Sequence, residues 1–222
     1  MRKTIKSILF WKAVIIIGYF GIGIIFHHYL FPPQKPDYAS YFKTGDKFQS
    51  NWEGFEQTVI SQKDGWLNTK VVMRPKSAGP PVHIHEHFDE TFMVKEGVMS
   101  VLINGEKKTV RAGESVHIPK GTPHKPFNES DLPVIVEDEN GKSFPLEFGY
   151  HLSQIYPLID SLDGKPSDLT MILQFSVYGD NFDSLIADGP PIGVQKAIRF
   201  LLAPTARLLG YKNYYEEYRI KN

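Results

Sequence analysis

Apolar side chains are laid out along this chain in three successive textures. The first is an unbroken run. From Ala13 to Phe31 the segment AVIIIGYFGIGIIFHHYLF holds nineteen residues without a formal charge. At about 1.5 Å rise per residue a helix of that length spans roughly 28 Å, close to the hydrocarbon thickness of a bilayer. Pro32, Pro33 and Pro36 cannot continue a helix, so Pro32 to Pro36 reads as a short stiff linker, and Tyr29 suits an aromatic belt at the membrane interface.

The second texture is alternation. Short Val/Ile/Phe-rich runs separated by Gly, Pro, Asn and Asp predict strands over Phe55 to Ile60, Leu67 to Met73, Val82 to His87, Thr91 to Val94, Val98 to Ile103, Lys107 to Val110, Ser115 to Ile118 and Pro133 to Glu137. Asn104-Gly105 between two of these runs predicts a hairpin, because both central positions of a type I′ turn need positive φ. Many short strands with no helix between them point to a sandwich or barrel. The third texture, past Phe144, is amphipathic: Tyr150 to Leu162 and Ile192 to Leu209 predict helices. In the second, Val194, Ile198, Leu201, Leu208 and Leu209 lie near one face and Pro204 predicts a kink. The organisation expected is therefore an anchor and linker over residues 1–36, a β-barrel over 37–143 and a helical extension over 144–222.

Charge gives the first segment a direction. Residues 1–36 hold five of the 25 Lys and Arg and no Asp or Glu, and the remainder is mildly acidic. Arg2, Lys3, Lys6 and Lys12 before the span, against Lys35 soon after it, predict an amino terminus in the cytoplasm and a body outside it, in a single-pass membrane protein held by residues 13–31. A cleavable signal peptide is the rival reading, but Asp37-Tyr38-Ala39 offers a poor cleavage pattern. A buried helix of the body is a second rival, opposed by the basic cluster in front of it. An acidic body without a Lys/Arg-rich face gives no reason to expect nucleic-acid binding. The chain has no cysteine, which leaves histidine and carboxylate as its strong metal ligands.

Those residues cluster. His83, His85 and His87 occupy alternate positions, and residues two apart on a strand share a face, so His83 and His85 can point into one cavity about 7 Å apart along the backbone. Glu90 follows shortly after. Some thirty residues on comes GESVHIPKGTPHKPFN, which reads as a strand, a tight Pro/Gly turn and a further histidine, His124. Alternate histidines can equally be plain surface residues. His87 reads as a rim or supporting residue, His117 as a strand residue facing away, and Asn128 and Gly121 as turn residues. Tyr150 and His151 read as packing residues, and Glu86 and Asp89 as rim charges, either being a base if it faced the pocket.

On these residues the chain resembles the cupin family. His83, His85, Glu90 and Gly97 match the first family motif, HxH followed by Glu and Gly; Gly113, Pro119, Gly121, His124 and Asn128 match the second, and fifteen residues separate the two motifs. The resemblance covers about residues 66–138. It departs where the glycine expected six positions before the first histidine is Ser77, with Gly79 nearer. The resemblance implies a double-stranded β-helix, or jelly-roll barrel, with one divalent metal ion held by His83, His85, Glu90 and His124, and it makes a homodimer a further expectation. Three imidazoles and one carboxylate suit Fe, Mn, Ni, Cu or Zn, and on a six-coordinate ion they leave two positions for water, substrate or dioxygen. Cupins perform many functions. Two readings stay open: a dioxygenase-type oxidoreductase acting on a small oxygen-bearing organic substrate, and a membrane-tethered sensory or binding cupin that captures a small molecule or sugar without turnover. The amphipathic tail is read as packing on the barrel, with an interfacial membrane helix as its alternative.

Overall fold

A computed structural model describes residues 2–32, 37–138, 140–162 and 168–220; most of the predicted proline-rich linker, and Lys35, lie outside them. The chain opens with helix α1 (Arg2–Ile25), closed by a π-helical turn at Phe26–Leu30. It starts earlier than the apolar run because Lys and Arg are good helix formers, and over Thr4–Leu30 it is long and apolar enough to cross a membrane. A single turn, α2 (Tyr38–Tyr41), capped by the Asp37 carboxylate, leads into the β body.

That body runs through β1 (Lys47–Ser50), β2 (Phe55–Lys63), β3 (Trp66–Met73), β4 (His83–Ile84), β5 (Glu90–Glu96), β6 (Val98–Ile103), β7 (Glu106–Arg111), β8 (Ser115–Ile118), β9 (His124–Phe127), β10 (Val134–Glu137) and β11 (Phe144–Pro145). Helices α3 (Leu146–Ser161) and α4 (Asp168–Tyr178), the short strand β12 (Leu185–Ile186) and helix α5 (Ile192–Leu208) follow. Among the described residues the strands form two antiparallel sheets, one ordered β1-β2-β3-β10-β5-β8 with β11 against β3, the other β12-β4-β9-β6-β7. This is the jelly-roll arrangement of a cupin barrel with helices after it.

The core follows from strand alternation. Along β3, Leu67, Thr69, Val71 and Met73 are buried while their neighbours are half-buried, the period of two that one inward face demands. Val71, Met73, Val94, Val134 and Val136 of one sheet meet Met99, Val101 and Val110 of the other, and each such side chain contributes roughly 1.5–3 kcal/mol by burial. A second, more aromatic core, with Phe48, Phe144, Phe148, Tyr150 and Tyr156, seals α3 onto the β1-β2-β3 end of the barrel. The Asn104-Gly105 hairpin forms between β6 and β7 with positive φ at both positions. β1 and β9 were not legible: the first is mainly polar, and the second contains Pro126, which sits opposite Val101. The predicted strand at Val82 to His87 is shortened to His83–Ile84, for a reason that belongs to the site.

Candidate metal centre

His83 lies on β4 and faces His124, the first residue of β9, directly across the ladder; His85 follows β4, and Glu90 opens β5 in the other sheet. Two imidazoles thus come from one sheet, the third from the residue after Ile84 at the end of β4, and the carboxylate from the sheet opposite. Their potential ligand atoms all lie within 4.8 Å of one another. The His83 ring centroid is 4.8 Å from that of His85 and 4.3 Å from that of His124. Glu90 Oε2 is 2.9 Å from His124 Nε2, and its Oε1 is 3.6 Å from His85 Nε2. The three histidines are buried.

Each ring is held from behind. His83 Nδ1 meets the Pro81 carbonyl at 3.0 Å, His124 Nδ1 meets the Thr122 carbonyl at 2.9 Å, and His85 Nδ1 meets the Asp183 carbonyl. A carbonyl can only accept, so Nδ1 donates in all three and each Nε2 is turned to the centre. His85 Nε2 is buried there with no hydrogen-bond partner. A buried unpaired nitrogen is costly unless something unseen completes it. The donor set, three Nε2 atoms and a carboxylate, fits a divalent transition ion.

Electrostatics agree. Burial holds the His83 imidazole down to about 3, helped by His85 and His124, so it stays neutral. Burial alone would raise Glu90, but the nearby His85 and a hydrogen bond with His124 hold it well below the usual carboxylate range. For His124 burial opposes protonation, yet its hydrogen bond to Glu90 and that carboxylate's charge outweigh this and raise it. His83 and Glu90 are thus already in their ligating forms, neutral imidazole and ionised carboxylate, while an ion would displace the proton that His124 shares with Glu90.

Sequence reasoning missed Asp183, from the loop before β12. Its carboxylate accepts the backbone N–H groups of Glu86 at 2.9 Å and His87 at 2.8 Å, and its carbonyl holds His85. Those amides are therefore unavailable to a neighbouring strand, which is why β4 stops early. β12 then pairs with β4, Ile186 opposite His83. No motif spacing links residues almost a hundred positions apart. The other expectations fall where the side chains sit. His87 is an exposed rim residue 3.2 Å from the Asp183 carboxylate, and Glu86 pairs with Lys196 at 2.7 Å. Asp89 accepts from the Lys120 amide, His117 faces away on β8, and Tyr150 and His151 are packed in the helical core. Gly79 does the close packing expected near Ser77: its φ is +67°, and a Cβ there would meet the Pro126 carbonyl at 2.0 Å.

The centre opens into a cavity of about 810 Å³ walled by both sheets and by α3, α4 and α5. Its lining is dominated by apolar side chains such as Phe55, Met73, Phe148, Phe175 and Ile198, with a polar group at Glu53, Gln57 and Tyr156. There Thr69 Oγ1 donates to Gln57 Oε1 at 2.7 Å, while Tyr156 is hydrogen-bonded to both Gln57 and Glu53. Burial pushes the Glu53 carboxyl up to about 7; the Tyr156 hydrogen bond opposes this and the Asp160 charge adds to it.

A two-sheet barrel with three histidines and a glutamate converging at its mouth defines the cupin class, and residues 69–137 match the family model described as Cupin domain. Over those residues the chain carries a cupin domain. It is 28% identical over 202 residues to "Probable oxidoreductase virH" of Hypocrea virens, covering 81% of this chain and 89% of that protein. To "Oxidoreductase iacF" of Pestalotiopsis fici it is 30% identical over 112 residues, 46% of this chain and 55% of that one. Among solved structures, KdgF from Halomonas sp. is 20% identical with a TM-score of 0.37, covering 44% of this chain and 87% of that chain.

Proposed function

We propose that this chain is a membrane-anchored, metal-dependent oxidoreductase of dioxygenase type, in which His83, His85, Glu90 and His124 hold one divalent transition-metal ion. The observation that carries the reading is the unpartnered, buried Nε2 of His85 among three imidazoles whose Nδ1 atoms are all anchored on carbonyls. When bound, Fe, Mn, Ni, Cu or Zn supplies Lewis acidity and, for the redox-active ions, electron transfer. The names of the two curated relatives support oxidoreductase chemistry. The chain's own residues bind and orient. Phe88 stacks on His85 at 4.3 Å and Phe148 meets it edge-on, fixing the ring and keeping water from it.

The cavity narrows the substrate class. A space of about 810 Å³ lined mainly by aromatic and aliphatic groups takes a bulky, largely apolar organic molecule whose oxygen-bearing end reaches the metal; a sugar would leave its hydroxyls unpaired there. α1 anchors the protein through residues 13–31, with the amino terminus cytoplasmic and the barrel on the other side.

Elemental analysis of detergent-purified full-length protein tests the centre. The wild type is expected to hold stoichiometric metal, and His85→Ala and His124→Ala to lose it at matched purity. Equal metal in all three would sink the assignment. Oxygen consumption by the iron-loaded protein with apolar, oxygen-bearing substrates tests the activity, and saturable binding without turnover would replace the enzyme with a binding cupin.

A further inference from the structure

Helix α5 is built inside out for a water-soluble protein. Its exposed large side chains are Val194, Phe200, Leu201 and Leu208, followed by Leu209 just past its end. Val194, Leu201 and Leu208 recur every seven residues, so they form one stripe along one side. The charges point the other way. Lys196 pairs with Glu86 on the barrel rim, Arg199 is buried with its guanidinium donating to the Ser184 carbonyl at 2.6 Å, and Arg207 is half-buried. A solvated amphipathic helix shows the reverse arrangement.

Helix α1 lies against this same side. Tyr19 donates to the Leu201 carbonyl at 2.6 Å and sits 2.8 Å from the Thr205 hydroxyl, Phe20 stacks on Phe200 at 5.1 Å, and Gly23 is pressed onto Pro204 so closely that a Cβ would come within 2.4 Å of it. These contacts come from the carboxyl-terminal half of α1. The apolar surface of α1 therefore continues without a polar break onto α5. Beside and behind the stripe, Gln195, Ile198 and Arg199 of α5 line the cavity wall.

We infer that α5 is a second membrane element, its apolar stripe lying in the acyl chains of the leaflet that holds the carboxyl-terminal half of α1, so that bilayer and cavity share one helix as a common wall. The occupant of the stripe is lipid because its surface is continuous with that of a helix long enough to span and because no charge on α5 faces outward with it. This inference rests on the membrane reading of α1, and the test separates the two.

The natural chain has no cysteine, so single substitutions can be spin-labelled cleanly in full-length protein reconstituted into phosphatidylcholine nanodiscs. Val194→Cys, Leu201→Cys and Leu208→Cys report on the stripe, Ile15→Cys on α1, and Lys108→Cys on the water-facing barrel. Collisional relaxation by dissolved O₂ and by chromium oxalate is then read at each site. The expected result is loss of chromium oxalate relaxation, with O₂ relaxation retained, at the stripe and at Ile15, and the reverse balance at Lys108. A stripe accessible to chromium oxalate beside a protected Ile15 would overturn the role of α5 while leaving the anchor standing. Exposure at Ile15 as well would remove both. Protection from both reagents at the stripe would mean protein covers it, a second copy of this chain included, and would equally overturn the lipid assignment.

Discussion

Glu53 is a carboxyl held at the end of a one-way hydrogen-bond chain, Thr69 to Gln57 to Tyr156, in a cavity wall made mainly of apolar side chains. Unfolded, it ionises near 4.5; folded, burial keeps it protonated up to about 7. The fold thus retains a proton that the unfolded chain gives up. The stabilisation is fully present below pH 4.5 and is lost as pH rises through about 7, an effect of up to about 3 kcal/mol. His151 runs the other way: burial holds it down to about 4, so its contribution is lost as pH falls from 6.5 through 4. Comparing Glu53→Gln with wild type isolates the carboxyl. In chelator-treated samples between pH 4.5 and 7.5, the wild type should lose melting temperature relative to the variant as pH rises. Parallel curves would show that Glu53 is not buried in its acid form. At this scale the sequence was informative where a residue's job is local. His83 and His85 share a face as their spacing suggested, Glu90 and His124 lie close to them as the match to the cupin motifs implied, and His117 faces away. Glu53 gave no signal, because its partners arrive from β2 and α3.

At the scale of elements, the segment carrying His83 and His85 is set by a residue from the far end of the chain. Asp183 takes the amide protons of Glu86 and His87 and offers its carbonyl to His85, so the loop before β12 fixes both the end of β4 and the rotation of one imidazole. Periodicity could not show this, since alternation at Val82 to His87 reads as a continuous strand until a distant carboxylate competes for its backbone. Supporting groups that orient a ligand commonly change metal affinity by 10–100-fold. Asp183→Ala keeps that carbonyl but cuts the carboxylate tie that holds the loop to Glu86 and His87, and is expected to weaken binding by up to about that factor while leaving all four candidate ligands in place. Competition titration against a chelator of known affinity measures it, and wild-type affinity in the variant would show that the tether is dispensable. β9 illustrates the same limit from the opposite side: Pro126 argues against a strand locally, but the ladder to β6 and the placement of His124 opposite His83 override it.

For the whole molecule, the three textures of the sequence became parts that are coupled where the pattern suggested separation. The extension adds β12 beside the His83 strand and places α5 between α1 and the cavity. The amphipathic pattern of Ile192 to Leu209 revealed a helix with one apolar side but not which way that side turns, because orientation depends on charges finding partners on the barrel, as Lys196 finds Glu86. Among the described residues, neither hydrophobic core includes a side chain from α1. A chain beginning at Asp37 should therefore keep its β body, yet it uncovers Phe200, Pro204 and Thr205 beside a stripe that is already exposed. Exposed apolar surface of that extent drives association in water. The shortened protein is expected to lose only the far-ultraviolet circular dichroism of α1, keeping that of the β body and the later helices, and to sediment as oligomers in buffer but as a monomer in detergent micelles. A monodisperse monomer without detergent would mean that water covers the outer face of α5 at little cost, and that α1 is held there by protein packing rather than by a shared place in lipid.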